Sequence, residues 1–299
     1  MIIPKFFMWS ECSFHDYERA CSEFGYNCES SPEFISFKVR QGAPLKFYAY
    51  RKKGKILGSV CTENGWLASD SKNSHRSLAS LPVPSSSIYV PLSSAVENRV
   101  ILPFRSKCIH HLQYNRFLNT SYNVFSKRQA AFAKDPAQDY SKKTVSTRER
   151  ELRNFLKGGG TFINVSQLDG EHIFEIYETL FEARRQRSLK DRDVNRAFFR
   201  EFQQHFKGHV MFLNEEPIAI QLLLSVSGVA GTFVDFINIG YRMDENAGAL
   251  GTMIMWKNLT SLYQDARENN QTLYYSYGAL SGEYKARWCH PVPLGRVIF

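Results

Sequence analysis

The stretch that decides the fold runs from His209 to Trp288 and reads HVMFLNEEPIAIQLLLSVSGVAGTFVDFINIGYRMDENAGALGTMIMWKNLTSLYQDARENNQTLYYSYGALSGEYKARW. It opens with three apolar runs of strand length, His209–Asn214, Ile218–Val226 and Thr232–Ile239. The short segments between these runs contain Asn, Glu, Pro, Ser and Gly, which are typical of tight turns. Short turns join antiparallel neighbours, so the pattern predicts three consecutive antiparallel strands.

The hydrophobic period then changes from two residues to about 3.6 residues. Met255, Leu259, Leu262 and Ala266 repeat on one face of a helix, and Thr272–Tyr277 returns as a strand. A glycine-containing loop, Asp244–Gly251, precedes the helix in this interpretation.

A glycine-containing helix entry favours an anion, because backbone N–H groups and the helix dipole point toward it. The residues that would hold a cofactor's pyrophosphate or carboxylate here are Gly248, Ala249, Leu250 and Gly251. A plain helix-entry loop is the alternative, since glycines before helices recur by chance.

This order of strands, glycine loop, helix and strand resembles the acyltransferase fold of the GNAT superfamily. It is most similar to the branch of FemABX-type aminoacyl transferases and cellulose-biosynthesis acetyltransferases, in which a strand is followed by Gly and a Tyr-Lys pair. In this chain these are Ser276-Tyr277-Gly278 and Tyr284-Lys285. The ending YKARWCHPVP, Tyr284–Pro293, is also similar to the Mig family of enterobacterial proteins, which is linked to survival in macrophages and resistance to antimicrobial peptides.

The resemblance implies an α+β fold with mixed, mainly antiparallel sheets, arranged as two tandem GNAT-like domains. The hairpin formed by Leu45–Tyr50 and Lys55–Cys61 resembles the central hairpin of a GNAT domain, which makes the first half a degenerate second copy. We expect a degenerate amino-terminal domain over residues 1–125, a basic linker over residues 126–145, and a GNAT-like domain over residues 146–299. Ser146, with Glu149 three residues later, has the spacing of a capping box.

Acyl transfer requires a donor pocket, hydrogen-bond donors to the developing oxyanion and, in many enzymes, a general base. The resemblance places Lys285 toward the donor, where an ammonium pairs with a phosphate or stabilises an oxyanion. In this interpretation Tyr284 positions Lys285, while Tyr277 and Asp235 are proton-transfer candidates at strand ends. The hypothesis predicts that Lys285→Ala abolishes function and leaves the melting temperature nearly unchanged.

The helix that begins at Asp169 ends in a cationic segment. The residues assigned to substrate binding in this segment are Arg184, Arg185 and Arg187. The resemblance places the segment near the acceptor side of the cleft, which implies an anionic or carboxylate-bearing substrate. The alternative is a solvated helix end stabilised by cations at its C-terminus.

The donor is left open. Ordinary GNAT enzymes carry Arg or Gln at the start of the pyrophosphate loop, whereas this chain carries Glu245. An acidic side chain there opposes pyrophosphate by charge repulsion, so acetyl-coenzyme A is disfavoured, and an aminoacyl donor or no donor remains. The cofactor is therefore unknown. The six cysteines contain no CxxC pair, and the two adjacent histidines lack nearby carboxylates, so we expect no metal site.

The net charge of +9 lies in the first half of the chain. Residues 1–150 carry 22 Lys and Arg against 12 Asp and Glu, whereas residues 151–299 carry 16 against 17. A one-sided positive field suggests an anionic membrane surface or nucleic acid as partner, with simple solubility as the alternative. Nucleic acid is disfavoured, because the first half shows strands and loops where a helix-turn-helix needs two adjacent helices.

Composition places the chain among ordinary globular proteins, with 43% hydrophobic and 22% charged residues. No apolar run reaches the ~20 residues that cross a bilayer, and the first residues lack the features of a signal peptide. We expect a cytoplasmic protein, peripheral on the inner membrane. Its oligomeric state is undetermined.

Three functional hypotheses follow. The first is an acyl- or aminoacyltransferase-like protein that modifies a peptide or an envelope precursor and thereby contributes to virulence and antimicrobial-peptide resistance. The second is a non-catalytic protein that binds a peptide or partner at the inner membrane on a degenerate GNAT fold. The third is a DNA-binding transcriptional regulator, which only the basic first half supports.

Overall fold

The structure is a computed structural model that describes residues 8–70, 81–83, 86–121, 128–243 and 247–298. Its amino-terminal part is built on a small antiparallel sheet with strand order β1-β2-β3-β4. The elements of this part are β1 (Trp9–Glu11), α1 (Phe14–Phe24), α2 (Pro32–Arg40), β2 (Leu45–Lys52), β3 (Lys55–Glu63), β4 (Trp66–Leu67) and β5 (Thr120–Ser121).

Local sequence signals explain the first of these elements. The Ser13 hydroxyl accepts a hydrogen bond from the Asp16 N–H at 3.0 Å and so caps α1. Gly25, with φ of 90°, ends the same helix. Trp9 on β1 is fully buried and packs edge-on against Phe104. The predicted β2–β3 hairpin is confirmed.

A larger mixed sheet forms the rest of the chain. The elements of this part are β6 (Gln129–Ala133), α3 (Lys142–Lys157), β7 (Gly160–Asn164), α4 (Gly170–Arg185), α5 (Arg192–Glu201), β8 (Phe206–Lys207), β9 (His209–Leu213), β10 (Glu216–Gly228), β11 (Gly231–Tyr241), α6 (Ala247–Glu268), β12 (Leu273–Ala279), α7 (Tyr284–Trp288) and β13 (Cys289–Pro293). The last strand, β14 (Arg296–Val297), pairs with β5 in a separate two-stranded sheet.

The strand order in this sheet is β13-β6-β12-β11-β10-β9-β7, with β8 also pairing with β10. Among the strands described, β11 and β12 are the parallel pair, and the other neighbours run antiparallel. A parallel pair needs a crossover, which α6 provides. The predicted α+β fold with mixed, mainly antiparallel sheets is confirmed.

Helices cover both faces of the larger sheet. On one face α6 buries Ile254, Trp256 and Leu259 against the sheet, together with Val234 and Tyr275. On the other face α4 and α5 form a core rich in phenylalanine with residues of β10 and β11. Every side chain along the middle of β10 is therefore buried.

The segment predicted as a basic linker contains regular structure. Strand β6 is hydrogen-bonded between β12 and β13, and its Ala130 and Ala131 are fully buried. Helix α3 begins at Lys142 and is capped by Ser141, so the predicted Ser146 cap is wrong. The small apolar Ala-Ala-Phe-Ala run pairs with strands that are remote in sequence, which local composition does not reveal. The division of the chain at residues 125 and 145 stays a prediction.

The segments around Ile88 and Val100 make isolated bridges rather than strands. They pack their apolar residues into the core of the amino-terminal part without forming a continuous ladder.

None of the helices in the described ranges combines the length and apolar character needed to cross a lipid bilayer.

Gly240 on β11 permits close contact between the sheet and α4. A Cβ atom at this position would lie 2.8 Å from the carbonyl carbon of Leu180 and 2.9 Å from the N atom of Phe181. These are backbone atoms of α4, which cannot rotate away. We expect Gly240→Ala to lower the free energy of unfolding by about 1–3 kcal/mol, measured by urea denaturation.

Gly228→Ala is the matched control, because its added Cβ would meet the Tyr26 ring at an ordinary 3.6 Å. This variant should unfold within about 0.5 kcal/mol of the wild type. Equal stability of the two variants would contradict the packing argument.

Candidate functional site

The parallel strands β11 and β12 separate within the sheet. They pair over only four positions, from Thr232 with Leu273 to Asp235 with Ser276. Beyond this point β11 follows β10 as far as Tyr241, while β12 follows β6 as far as Ala279. Diverging strands leave backbone and side chains without a neighbour between them, and this opens a cleft.

A cavity of about 380 Å³ occupies this cleft. Its lining residues come from the end of α4, the second half of β11, the start of α6, the end of β12 and α7. They are Arg184, Arg185, Phe236, Ile237, Asn238, Ile239, Tyr241, Gly251, Thr252, Met255, Tyr277, Tyr284, Lys285, Arg287 and Trp288. Three of the predicted catalytic residues, Tyr277, Tyr284 and Lys285, therefore lie together.

Lys285 lines the cavity, but its ammonium is already bonded. The side chain is only 5% exposed, and Nζ donates to the carbonyls of Tyr277 and Ala279, both at 2.6 Å. Burial lowers the pKa of Lys285. The two hydrogen bonds hold α7 against the end of β12, so Lys285 has a structural role whatever else it does.

Tyr277 presents a phenol that is buried at the cavity wall. Its hydroxyl lies beside the Tyr275 and Gln221 side chains, but it makes no hydrogen bond of regular geometry with any residue that the structure describes. Burial, followed by the adjacent Tyr275, raises the pKa of Tyr277 well above its usual value. The phenol is therefore neutral and able to donate its proton. Tyr284, by contrast, is 50% exposed at the cavity mouth.

The predicted arginine set is divided between two cavities. Arg184 donates from Nη1 to the carbonyl of Ile239 at 2.7 Å, and its guanidinium lies 5.0 Å above the Tyr241 ring. Arg185 is exposed in the same cleft. Arg187 instead lines a separate cavity of about 430 Å³ with Tyr177 and the loop after α4.

The predicted glycine loop is partly wrong. Ala247–Gly251 form the first turns of α6 rather than a loop before it. Alanine and leucine favour a helical backbone. Gly251 faces β11 closely, since a Cβ atom added there would lie 3.3 Å from the Tyr241 ring. Only the first helical turn has free N–H groups, which excludes Gly251 as a backbone anion donor. Glu245 lies outside the described residues.

Ala249 and Leu250 face a third space of about 710 Å³ between α3, the β9–β10 turn and α6. Its floor includes Phe155, Leu213 and Met253. The four residues predicted to hold a cofactor therefore do not surround one cavity.

Asp235 does not line the cleft. It is 4% exposed on the opposite face of β11, beside the side chains of Cys28 and Ser276. Glu29, also buried, accepts from the Asn27 amide at 2.6 Å and from the Ser87 N–H at 2.9 Å. Burial raises the pKa of Asp235 to about 7, and it raises the pKa of Glu29 well above the usual value with Asp235 as a second cause.

Within the described ranges no three His, Cys, Asp or Glu side chains are arranged to hold a metal ion. The six cysteines are free thiols. His110 and His111 stack at 4.4 Å inside an aromatic cluster, and burial lowers the pKa of His110 well below its usual value. These histidines have the surroundings of core residues.

Sequence reasoning missed Arg287 and the apolar lining residue Trp288. Arg287 lies two residues after Lys285 on the five-residue helix α7. The sequence shows that Arg287 follows the Tyr-Lys pair, but the direction of its side chain depends on how α7 packs against β12.

Comparisons with known proteins give a family and a fold. The model of the Mig-14 family matches residues 33–297. The crystal structure of FemX is 8% identical, with 97% of this chain and 97% of that chain covered and a TM-score of 0.53. This likeness concerns the fold alone.

Two other solved structures are less similar to this chain. L-PGS from Bacillus licheniformis is 11% identical over 90% of this chain and 77% of that chain, with a TM-score of 0.49. The C-terminal domain of a putative lysylphosphatidylglycerol synthetase from Agrobacterium fabrum is 13% identical over 60% of this chain, with a TM-score of 0.41. This chain spans 62% of the latter's length. No curated protein sequence matches the chain significantly.

We expect Lys285→Ala to lower the free energy of unfolding by about 1–3 kcal/mol, because two carbonyls near the cleft lose their hydrogen-bond donor. This replaces the expectation of an unchanged melting temperature. Thermal unfolding followed by circular dichroism measures the effect. Lys257→Ala is the control, since no hydrogen bond holds its ammonium in the described structure, which places it near the Phe162 ring. A melting temperature for Lys285→Ala equal to that of the control would refute the structural role.

Asp235→Asn is expected to weaken a pH dependence of stability. Unfolded Asp ionises near pH 4, whereas the folded carboxyl stays protonated up to about pH 7. Between these values the folded state holds the extra proton, so the free energy of unfolding falls as pH rises and levels off above pH 7. The slope is at most about 1.4 kcal/mol per pH unit for this group.

Urea denaturation at several pH values between 4 and 8 (roughly the titration range of the carboxyl) provides the measurement. The variant should show a shallower fall than the wild type, with a residual slope from Glu29. Asp193→Asn, at an exposed position in the first turn of α5, should keep the wild-type slope. Identical slopes for wild type and Asp235→Asn would show that this carboxyl is ionised in the folded protein.

Proposed function

The chain belongs to the Mig-14 family, and from that premise we propose that it is an acyl- or aminoacyltransferase-like protein on a FemX-like fold that contributes to antimicrobial-peptide resistance. The cleft between β11 and β12 would receive the activated donor. The acceptor would be a peptide or a precursor of the cell envelope. The biological role in this proposal follows the family resemblance, and the chemistry follows the cleft.

The observation that carries the proposal is the separation of β11 and β12 beside an unpartnered phenol. The strands leave a cavity of about 380 Å³ that Tyr277 lines, and the buried hydroxyl of this residue lacks a hydrogen-bond partner within the described part of the chain. An unsatisfied buried hydroxyl costs free energy, so a site that retains one is suited to a ligand that completes the bond.

In this mechanism the acceptor nitrogen attacks the carbonyl carbon of the donor ester or thioester. The new C–N bond forms, the bond from the carbonyl carbon to the leaving oxygen or sulfur breaks, and the nitrogen loses one proton. The raised pKa of Tyr277 keeps its phenol protonated, so Tyr277 donates to the oxyanion or protonates the leaving group. The proton released by the acceptor nitrogen then restores the phenol.

Lys285 acts indirectly in this scheme. Its hydrogen bonds to the carbonyls of Tyr277 and Ala279 fix the end of β12, and its positive charge beside the cavity favours the oxyanion. Tyr284, half exposed at the mouth, would contact the bound ligand.

A second candidate function is binding without catalysis. The specific observation in its favour is that two backbone carbonyls already hold the Lys285 ammonium, and that Asp235 lies on the other face of the sheet. Of the two residues predicted to transfer protons, Tyr277 and Asp235, only Tyr277 then lines the cleft. A protein of this kind would sequester a peptide or dock a partner.

The proposed location is the cytoplasmic face of the inner membrane, reached through the basic first half of the chain. The β2–β3 hairpin there exposes Lys52, Lys53 and Lys55 around its turn. Exposed lysines of this kind gain about 1 kcal/mol each near an anionic lipid surface.

Tyr277→Phe tests the chemistry. We expect transfer to slow by about 10²- to 10⁴-fold, while the melting temperature stays equal or rises, because the variant removes a buried hydroxyl without a partner. Mass spectrometry follows transfer from acetyl-coenzyme A or aminoacyl-tRNA to lipid A precursors, peptidoglycan precursors and a cationic peptide.

Tyr274→Phe is the matched control on the same strand, because Tyr274 packs into the core on the other face, against Phe233. It should keep the wild-type rate. If the wild type changes the mass of no acceptor with any donor, the transferase proposal fails and the binding function takes its place.

A further inference from the structure

The cleft has a one-sided charge. Four of its lining residues are cationic, and none of the described lining residues carries a carboxylate. Three of the four are arginines, namely Arg184, Arg185 and Arg287, which we call the arginine mouth. The fourth is Lys285, whose ammonium is held by backbone carbonyls.

Arginines of the neighbouring helix α5 are neutralised by carboxylates of α4. Arg192 pairs with Glu178, and both Arg196 and Arg200 pair with Glu171. In the part of the chain that the structure describes, no ion pair joins a residue of the arginine mouth to an acidic side chain. The unpaired cations therefore concentrate where the cavity opens.

The mouth is also partly pre-positioned. Arg184 is held by its bond to the Ile239 carbonyl and by stacking on Tyr241, which leaves its remaining N–H groups free to bind. The negative end of the α4 dipole would by itself explain why two cations, Arg184 and Arg185, lie at the end of that helix. It does not account for Arg287, which reaches the same cavity from α7, an element at the other end of the chain.

We propose that the arginine mouth binds a phosphate group, and that the ligand of the cleft is a phosphate ester whose organic part extends along Met255 and Trp288. Guanidinium groups bind phosphate oxygens in bidentate pairs, and three of them match an anion with several oxygens better than a single carboxylate. This inference rests on the proposed function, because both concern the same cleft. It adds the chemical class of the ligand.

This phosphate site differs from the one that the sequence suggested at the start of α6. The cations lie on α4 and α7, whereas Gly251 is inside α6 and Ala249 faces a different space. Variants that change the charge at one of the two positions should therefore differ in their effect on phosphate binding.

Isothermal titration calorimetry with inorganic pyrophosphate as the probe tests the site. The variant R184Q/R185Q/R287Q should bind at least about tenfold more weakly than the wild type, because charge-assisted bonds are lost. The control K157Q/K190Q/K207Q removes the same charge from exposed positions outside both the cleft and the β2–β3 hairpin, and it should bind within about twofold of the wild type.

A third variant separates the two candidate anion sites. Ala249→Asp adds a negative charge in the first turn of α6, at an exposed position where the helix dipole favours an acid. We expect it to leave pyrophosphate binding nearly unchanged. Weaker binding by Ala249→Asp together with wild-type binding by the arginine variant would overturn the proposal.

The source of the phosphate is resolved by two further arms. Sedimentation with phosphatidylglycerol vesicles, compared with phosphatidylcholine vesicles, reports a lipid headgroup, and calorimetry with coenzyme A reports a soluble phosphate ester. In either arm, loss of binding in the arginine variant and retention in the lysine variant support the proposal. Equal loss in both triple variants, or no binding of any of these probes by the wild type, refutes it.

Circular dichroism must show that the triple variant is folded. If it is not, Arg287→Gln alone is used, since it leaves the Arg184 bond to Ile239 intact, and it should still weaken pyrophosphate binding. The binding measurement does not depend on the result of the transferase assay. Phosphate binding without transfer would leave this inference standing, whereas transfer with unchanged binding in the arginine variant would refute this inference alone.

Discussion

The short parallel pairing of β11 and β12 is the constraint on which the rest of the structure depends. Parallel neighbours need a long crossover, and α6 supplies it by packing Ile254 and Leu259 onto the sheet. After four paired positions each strand follows its own antiparallel partner, β10 or β6. The cleft is therefore a consequence of strand pairing, and its walls are the ends of elements that the core already fixes.

The sheet also separates two opposite electrostatic environments. On the cleft side the described lining residues include cations and no carboxylate. On the other side Glu29 and Asp235 are buried together, and the hydrogen bonds to Glu29 come from the segment around Asn27 and Ser87. This second cluster joins the amino-terminal part to β11. The raised pKa values of both carboxyls favour their protonated forms, so the junction forms without two adjacent negative charges.

Individual residues show how far sequence reasoning reached. The order of the strands from β9 to β12, the caps at Ser13 and Asp169 and the positions of Tyr277, Tyr284 and Lys285 in one region were all predictable. Local period, cap chemistry and a family signature carry that information. Asp235 was misplaced because side chains alternate between the two faces of a strand, and only packing decides which face meets the cleft. The helical conformation of Ala247–Gly251 was missed because the two glycines were given more weight than the helix propensity of the alanines and leucine.

The sequence by itself determined the type and order of the elements in the second half, the basic bias of the first half and membership of a family. Only the tertiary structure decided that β6 enters the larger sheet, that carbonyls hold the Lys285 ammonium, and that Arg187 lies apart from Arg184 and Arg185. The physical reason is that periodicity and capping act over a few neighbouring residues. Strand pairing, burial and the pairing of charges join residues far apart in the chain, and these contacts exist only once the core has formed.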